Sequence, residues 1–506
     1  MKKQLLFYIL MIPLLGFSQY ALQGNVIADA GGLTNDRFGG NSAINASGDF
    51  IIISASEYDG IAGTTSNIGK VQVYQFVIGN WTQVGSDLIG DAAGDFFGSS
   101  LAISADGSII AIGAPQADGI GTGRGLVRVY ENIAGTWTQL GSDFTGQADF
   151  DNVGSAIDLS ADGTKIAIGA SGVSTAKGEV KVYEYGGASW SQFGSTMSGV
   201  VNGDRFGDSV NFNADGTFLA IGIPFSDANG TASGTNSGQV KVYEYTSNWS
   251  QVFVDAIVGQ NFALGTKVAL SDDGSVLAAS APQANDPANG SGFVRIYKYN
   301  GTSNTYVFNA SVVGESNSDR FGSSVALSDD GNFLAVGAPF NDSNGTSSGE
   351  AYLYENTSGN TWSAVSGIFN NSNTTADLAG TSVSLSENGA FFSIGAFNAN
   401  NPINSNTNTG IASVFVDSSL LSVKNTELNN TIVIYPNPII DYLAISSTNN
   451  RNITSIKLSD MAGRVMYKKI ASFTETSINF SNLQTGMYLL ELKSDTETIV
   501  RKIIKQ

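Results

Sequence analysis

Two stretches, FSDANGTASG and FNDSNGTSSG, put oxygen-bearing side chains at alternate positions: Asp227 and Asn229 in one, Asp342 and Asn344 in the other, each followed by glycine. A calcium loop begins this way, although the distal glutamate that would complete one is missing. The same residue types also make ordinary polar turns. Calcium at these four residues is therefore one expectation and a polar turn the other, and no other feature calls for a cofactor. Five further aspartates, Asp106, Asp162, Asp215, Asp273 and Asp330, each precede a glycine in segments reading SADG, NADG or SDDG. One or two carboxylates per segment are too few for calcium, and Asp-Gly turn chemistry already accounts for them. Glu131, Glu184, Glu244 and Glu355 follow Val-Tyr or Leu-Tyr and read as solvated strand ends that discourage edge pairing. The pairs Asp36-Arg37, Asp204-Arg205 and Asp319-Arg320 read as local structure rather than a site.

The chain contains neither histidine nor cysteine. This removes disulfides, thiolate nucleophiles, most zinc sites and the Ser-His-Asp and Cys-His triads. An enzyme built from this sequence would depend on carboxylates, Lys, Tyr or a hard metal; glycoside hydrolysis or lyase chemistry by paired carboxylates stays open, because their spacing is spatial rather than sequential. Between Gln19 and Val423 there are 13 Lys and Arg against 37 Asp and Glu, a net charge of −24, whereas the part from Lys424 onward is +3. The acidic field of the larger part repels phosphate backbones and anionic membranes, so nucleic acid is not an expected partner.

Positioning these groups falls to a repeat. A turn glycine recurs at Gly48, Gly107, Gly163, Gly216, Gly274, Gly331 and Gly389, and nine residues before each stands another, from Gly39 to Gly380. Within the second copy, SSLAIS, SIIAIGAP, GLVRVYEN and TWTQLGSDF read as four strands, the first two joined by an Asp-Gly hairpin of type I′. The apolar second strand suggests burial on both faces, as where sheets pack face to face around an axis. The reading is all-β, a seven-bladed β-propeller with four strands per blade. Fourth strands carry Trp81, Trp137, Trp190, Trp249 and Trp362, with Tyr306 in that slot after the fifth copy. An aromatic that recurs once per unit reads as packing between units rather than as a sugar platform. After the seventh copy the slot is empty, while YALQGNVIAD precedes the first, so the N-terminal strand with Tyr20 is expected to close the last blade and remove its free edge.

FGSSLAISADGSIIAIGAP and FGSSVALSDDGNFLAVGAP resemble the FG-GAP repeat of integrin α-chain propellers and their bacterial relatives, over roughly Asp36 to Val416. Copies three, five and seven keep the Gly but lose the Phe. The resemblance implies a secreted or surface propeller acting in adhesion or ligand binding, without catalysis. The family's calcium loop between the first two strands is not carried over, for want of carboxylates. From Ile432 to Gln506, alternating apolar residues and turn signals describe a small Ig-like β-sandwich. YPNP at Tyr435, Pro436, Asn437 and Pro438, Gly463 and Arg464 in DMAGRV, Gly486 and Tyr488 in LQTGMY, and the basic Lys502 and Lys505 resemble the type A C-terminal sorting domain of the type IX secretion system. That resemblance implies the type IX machinery as a partner, export across the outer membrane, removal of the domain, and a cargo that is released or held at the surface.

MKKQLLFYILMIPLLGFS has the basic start, apolar run and small residues of a cleavable leader. No run approaches the ~20 apolar residues of a transmembrane helix. The expected organisation is a signal peptide at 1–18, the propeller at 19–416, a linker at 417–431 and the sorting domain at 432–506. The expected function is a non-catalytic binding or adhesion protein, its loops contacting a glycan or a protein, found outside the cell or on the outer-membrane surface after both ends are cleaved. An extracellular carboxylate glycoside hydrolase or lyase, and a structural surface-layer component, are the alternatives.

Overall fold

The computed structural model describes residues 20–417 except 61–65, 120, 228–235, 257–261, 286–288, 366–374 and 405, and residues 432–505 except 436–438, 440, 448–452, 461–464, 474, 482, 485 and 494–497. The expected leader at 1–18 and nearly all of the expected linker at 417–431 thus lie outside the described residues. Two compact units result, Met1–Asp417 and Ser418–Gln506.

Among the described residues of the first unit there are seven antiparallel sheets, each with a four-strand path, and in the second copy these strands are Ser100–Ile103, Ile109–Ala114, Leu126–Ile133 and Thr136–Gln139. Second strands such as Lys165–Ala170 are buried along nearly their whole length, as expected of a strand covered on both faces. Core clusters are shared between neighbouring sheets: Ala167, Val180 and Val182 of the third copy pack with Leu219, Ile221 and Trp249 of the fourth. The seventh sheet takes its fourth strand from the N-terminus. Tyr20–Leu22 pairs antiparallel with Ile411–Asp417, Tyr20 opposite Asp417. Tyr20 fills the aromatic slot in the same manner as Tyr306, because each hydroxyl donates to the carbonyl of its own sheet's turn glycine, Gly389 at 2.7 Å and Gly274 at 2.6 Å.

The Asp-Gly hairpin differs from expectation. A type I′ turn needs positive φ at both central residues, yet only the glycine adopts it, Gly107 at +75°. Its amide donates to Ser104 O at 2.9 Å, and Asp106 Oδ1 accepts from Ser104 Oγ at 2.7 Å and Ser108 N at 2.9 Å. The side chain satisfies the turn from within, so the chain makes a type I turn followed by one left-handed glycine.

The outer strand also differs. In the first three copies it is broken by a glycine and resumes as Leu88–Ile89, Phe144–Thr145 and Met197–Ser198. The break receives the tryptophan of the next copy: a Cβ on Gly141, at φ +82°, would stand 2.6 Å from the Trp190 ring. Trp190 Nε1 donates to Leu140 O at 2.9 Å, and Trp137 and Trp249 bind Val84 O and Phe193 O in the same way. The tryptophans therefore pack sheet against sheet. In the fifth copy the outer strand Thr305–Val313 is unbroken, and Trp362 Nε1 of the next copy is buried without an acceptor.

In the second unit, one sheet contains Ile432–Tyr435, Tyr442–Ser447 and Glu475–Asn479, the other Val465–Phe473, Ile453–Asp460, Gly486–Lys493 and Thr498–Lys505. They share a core that includes Leu443, Ile456, Phe480, Tyr488 and Leu490.

Candidate functional site

Strands 1 to 2 and 3 to 4 of each sheet are joined at one end, and strands 2 to 3 and each sheet to the next at the other. At the hairpin end the turns join hands around a ring. Ala46 N donates to Ala105 O, Ala105 to Ala161, Ala161 to Ala214, Ala214 to Asp272 and Asp272 to Asp329; Asp330 N donates to Glu387 O, and Glu387 N returns to Ala46 O at 3.0 Å. A cavity of about 310 Å³ sits inside this ring, walled by first-strand residues of every sheet, among them Ile44, Leu101, Ile157, Val210, Val268, Val325 and Val383.

The ring position between the turn's first polar residue and its Asp-Gly is alanine in the first four copies, then Asp272, Asp329 and Glu387. Three carboxylates therefore stand on consecutive turns. Burial, Asp272 and Glu387 together push the Asp329 carboxyl up to about 7, and a side-chain hydrogen bond links it to Asp272, itself raised by burial and then by Glu387. Deeper in the wall, Asp158 Oδ2 accepts from Phe212 N at 2.7 Å and Asn211 Nδ2 at 2.9 Å, and burial lifts it to about 7. A carboxyl raised in this way beside a second one, as Asp329 is beside Asp272, can take up or release a proton near neutrality. The sequence carries a sign of it, since SDDG shows the added carboxylate; that the turns adjoin is a tertiary fact. The opposite mouth is lined by serines, with Thr381, Asn41, Asp208 and Lys267.

At the loop end, the residues read as ion ligands serve the backbone. Asp227 Oδ1 accepts from Asn236 N at 2.9 Å, and Asp342 Oδ1 from Ser347 N at 2.7 Å. Asp118 does the same for Gly123 N and Asn285 for Gly290 N, so this is a repeated loop clamp. Asn344 is exposed, and Asn229 lies outside the described residues. Among the described residues no group of three or more Asp and Glu could hold a metal ion. Asp106, Asp162, Asp215, Asp273 and Asp330 all accept hydrogen bonds within their turns. In the Asp-Arg pairs Asp36 Oδ2 holds Leu33 N and Asp319 Oδ2 accepts from Asn341 Nδ2 at 3.1 Å, while Arg37, Arg205 and Arg320 lie over Phe397, Phe225 and Phe340. Glu131, Glu184 and Glu244 are half-buried and Glu355 is exposed, all towards strand ends.

The loop end also exposes Leu33, Phe150, Val200, Val201, Phe340 and Ile403. At the hairpin end, Val77, Ile78 and Ile133 are exposed in the outer hairpins of the first two copies. A separate constellation lies where the N-terminal segment crosses the first sheet: Asp29 and Lys70, both buried, form an ion pair beneath Tyr58.

Of the sorting-domain residues, Tyr435 closes the strand Ile432–Tyr435, while Pro436, Asn437, Pro438, Gly463 and Arg464 lie outside the described residues. Gly486 pairs with Lys505 and Leu489 with Lys502. Tyr488 is buried, its hydroxyl donating to Gln484 O at 2.8 Å. No helix among the described residues is long and apolar enough to cross a membrane.

Family models match residues 314–354 as an FG-GAP repeat and 433–506 as a secretion system C-terminal sorting domain. No curated protein matches the chain. Solved structures similar to it include the periplasmic gluconolactonase of Pseudomonas aeruginosa, 16% identical over 65% of this chain and 84% of that one with a TM-score of 0.46, and the hydrazine synthase of Kuenenia stuttgartiensis, 14% identical over 74% and 95% with a TM-score of 0.47. Neither likeness bears on what this chain does. An FG-GAP repeat in a β-propeller-like fold, joined to a type IX sorting domain, marks the chain as one exported by that machinery to the cell surface or beyond.

Proposed function

We propose that the first unit is a closed seven-bladed propeller that works outside the cell by binding a glycan or a protein through its loop end, without catalysis. The ring of turn-to-turn hydrogen bonds and the N-terminal strand in the seventh sheet support closure. The observation that carries the binding role is the contrast between ends. The inner hairpin turns repeat one satisfied structure, with Val77, Ile78 and Ile133 exposed in two outer hairpins beside them, whereas the loop end varies and exposes six large apolar side chains on a strongly acidic surface. A contiguous exposed apolar patch is the ordinary mark of an interaction surface, and Val200 and Val201, exposed by 76% and 47%, adjoin in the chain. In this reading the second unit is an Ig-like sandwich whose role is recognition by the secretion machinery, and the boundaries are a leader at 1–18, propeller at 19–416, linker at 417–431 and sorting domain at 432–506. The reading needs no cofactor; calcium at Asp342 and Asn344 would be an addition to a loop that Asp342 already clamps.

The test is retention of the full chain on a panel of immobilised polysaccharides and surface-protein extracts. Saturable retention that falls at least tenfold in Phe150→Ser/Val200→Ser supports it; retention unchanged by that variant places the site elsewhere, and none on any surface favours a structural surface-layer role.

One observation favours a second reading, a carboxylate hydrolase or lyase: Asp272, Asp329 and Glu387 on consecutive turns, with the first two hydrogen-bonded. Turnover of a polysaccharide that disappears in Asp329→Asn would establish it.

A further inference from the structure

We propose that Lys70 and Asp29 are joined by an intramolecular isopeptide bond that locks the N-terminal strap across the closure of the ring. The segment 20–33 holds the two ends of the repeat array together. Tyr20–Leu22 completes the seventh sheet, Asn401 Nδ2 of that copy donates to Asp29 O at 2.7 Å, and Trp81 of the first copy donates to Asn25 Oδ1 and Gln23 O. At its centre Asp29 Oδ2 is in contact with Lys70 Nζ, and the two side chains are 4% and 3% exposed.

The surroundings are those an amide-forming site needs. Asp29 Oδ1 accepts from Gly31 N at 3.0 Å and faces, at 3.5 Å, the Gln72 Nε2 that also donates to Asp87 Oδ1 at 2.8 Å; Asp87 Oδ2 stands 3.7 Å from Lys70 Nζ. Donors on one carboxyl oxygen with the amine against the other polarise the carbonyl and stabilise the charge of a tetrahedral intermediate. The Tyr58 ring covers Nζ, its centroid 4.1 Å away, and Tyr74 and Trp81 line the same pocket. On the same loop, Asp36 holds Leu33 N with Oδ2, and its Oδ1 is buried without a partner. Burial, only partly offset by that backbone bond and by Lys70, raises Asp36 to about 6, so it can carry a proton where neither member of the pair faces water.

The step balances without a further reactant. The Lys70 ammonium yields a proton, and the free amine attacks Asp29 Cγ. The new C–N bond forms, the Cγ–Oδ2 bond breaks, and that oxygen leaves as water with two protons from the nitrogen. Asp36 takes up one and returns it, so it ends unchanged. Ammonium and carboxylate become amide and water, with no oxidant. Two buried charges vanish, removing the desolvation cost that a buried ion pair carries. In a chain without cysteine the bond would do for the closing strap what a disulfide does elsewhere.

The experiment is tryptic mapping of the full exported chain by mass spectrometry. Arg37, Lys70 and Arg124 are successive cleavage sites. The expected product is 38–124 uncut at Lys70, carrying the peptide that ends at Arg37, lighter than the sum by one water, with fragmentation placing the branch on Asp29. Lys70→Arg and Asp29→Ala should release separate peptides of full mass, and Asp36→Asn should leave most chains unlinked. Free 38–70 and 71–124 from the folded wild-type chain overturn the bond. Complete linkage in Asp36→Asn overturns the proton relay and leaves the bond standing.

Discussion

The two ends of the propeller use the same residue types for opposite purposes. At the hairpin end the seven inner turns are built alike. A polar residue, the ring residue and Asp-Gly or its variants fold onto themselves, and their backbones link into a ring. At the loop end each aspartate or asparagine clamps a loop of different length, and large apolar side chains remain in solvent. Uniformity marks what closure demands, and variation marks what closure leaves free. The carboxylates of the last three ring positions are the exception, since alanine serves the same place in the other four.

Four measurements would break or sharpen that contrast. The largest effect is expected between the ends, where sheets meet: Trp249→Ala should cost roughly 3–5 kcal/mol in denaturant unfolding, through the cavity left beside Phe193 and Phe212. A loss below about 1 kcal/mol would mean that the sheets do not depend on this packing. Next comes the ring exception. Asp329 has its folded value raised to about 7 from an ordinary carboxylate value, so its contribution is present below that ordinary value and is lost as pH rises through 7. Asp329→Asn should therefore gain about 1–2 kcal/mol at pH 8 and nothing at pH 4, a figure reduced for solvent in the channel. A pH-independent difference would show that Asp329 does not share a proton.

A smaller effect separates the ends directly. Hydrogen bonds from Ser160 and Thr164 overcome the effect of burial and hold the Asp162 carboxyl below its ordinary value. Asp162→Ala should lose about 1 kcal/mol, while Phe150→Ser at the loop end should stay within about 0.5 kcal/mol of wild type. Equal losses would erase the distinction. The smallest effect concerns calcium: because the Asp227 and Asp342 carboxylates already accept backbone amides, chelation should leave the melting temperature unchanged, and a fall reversed by calcium would restore those residues as ligands.

Much of this molecule was legible from spacing alone. The glycine pair nine residues apart is fixed because Gly39 and its counterparts take positive φ close against the preceding sheet; a Cβ on Gly39 would stand 2.3 Å from Ile411 O. The aromatic slot is enough to assign Tyr20 to the last sheet, where it stands opposite Asp417. Where the reading went astray, the cause was side-chain chemistry beyond the backbone pattern: Asp106 satisfies its own turn, so type I′ geometry is not needed, and the outer strand breaks to admit a neighbour's tryptophan. Local periodicity and turn residues therefore determined the strands, their number and their order, because these depend on contacts close in sequence. The juxtaposed Asp272 and Asp329, and the Lys70–Asp29 pair, were decided by the tertiary structure alone, because each brings together side chains tens of residues apart that interact strongly only once water has been excluded.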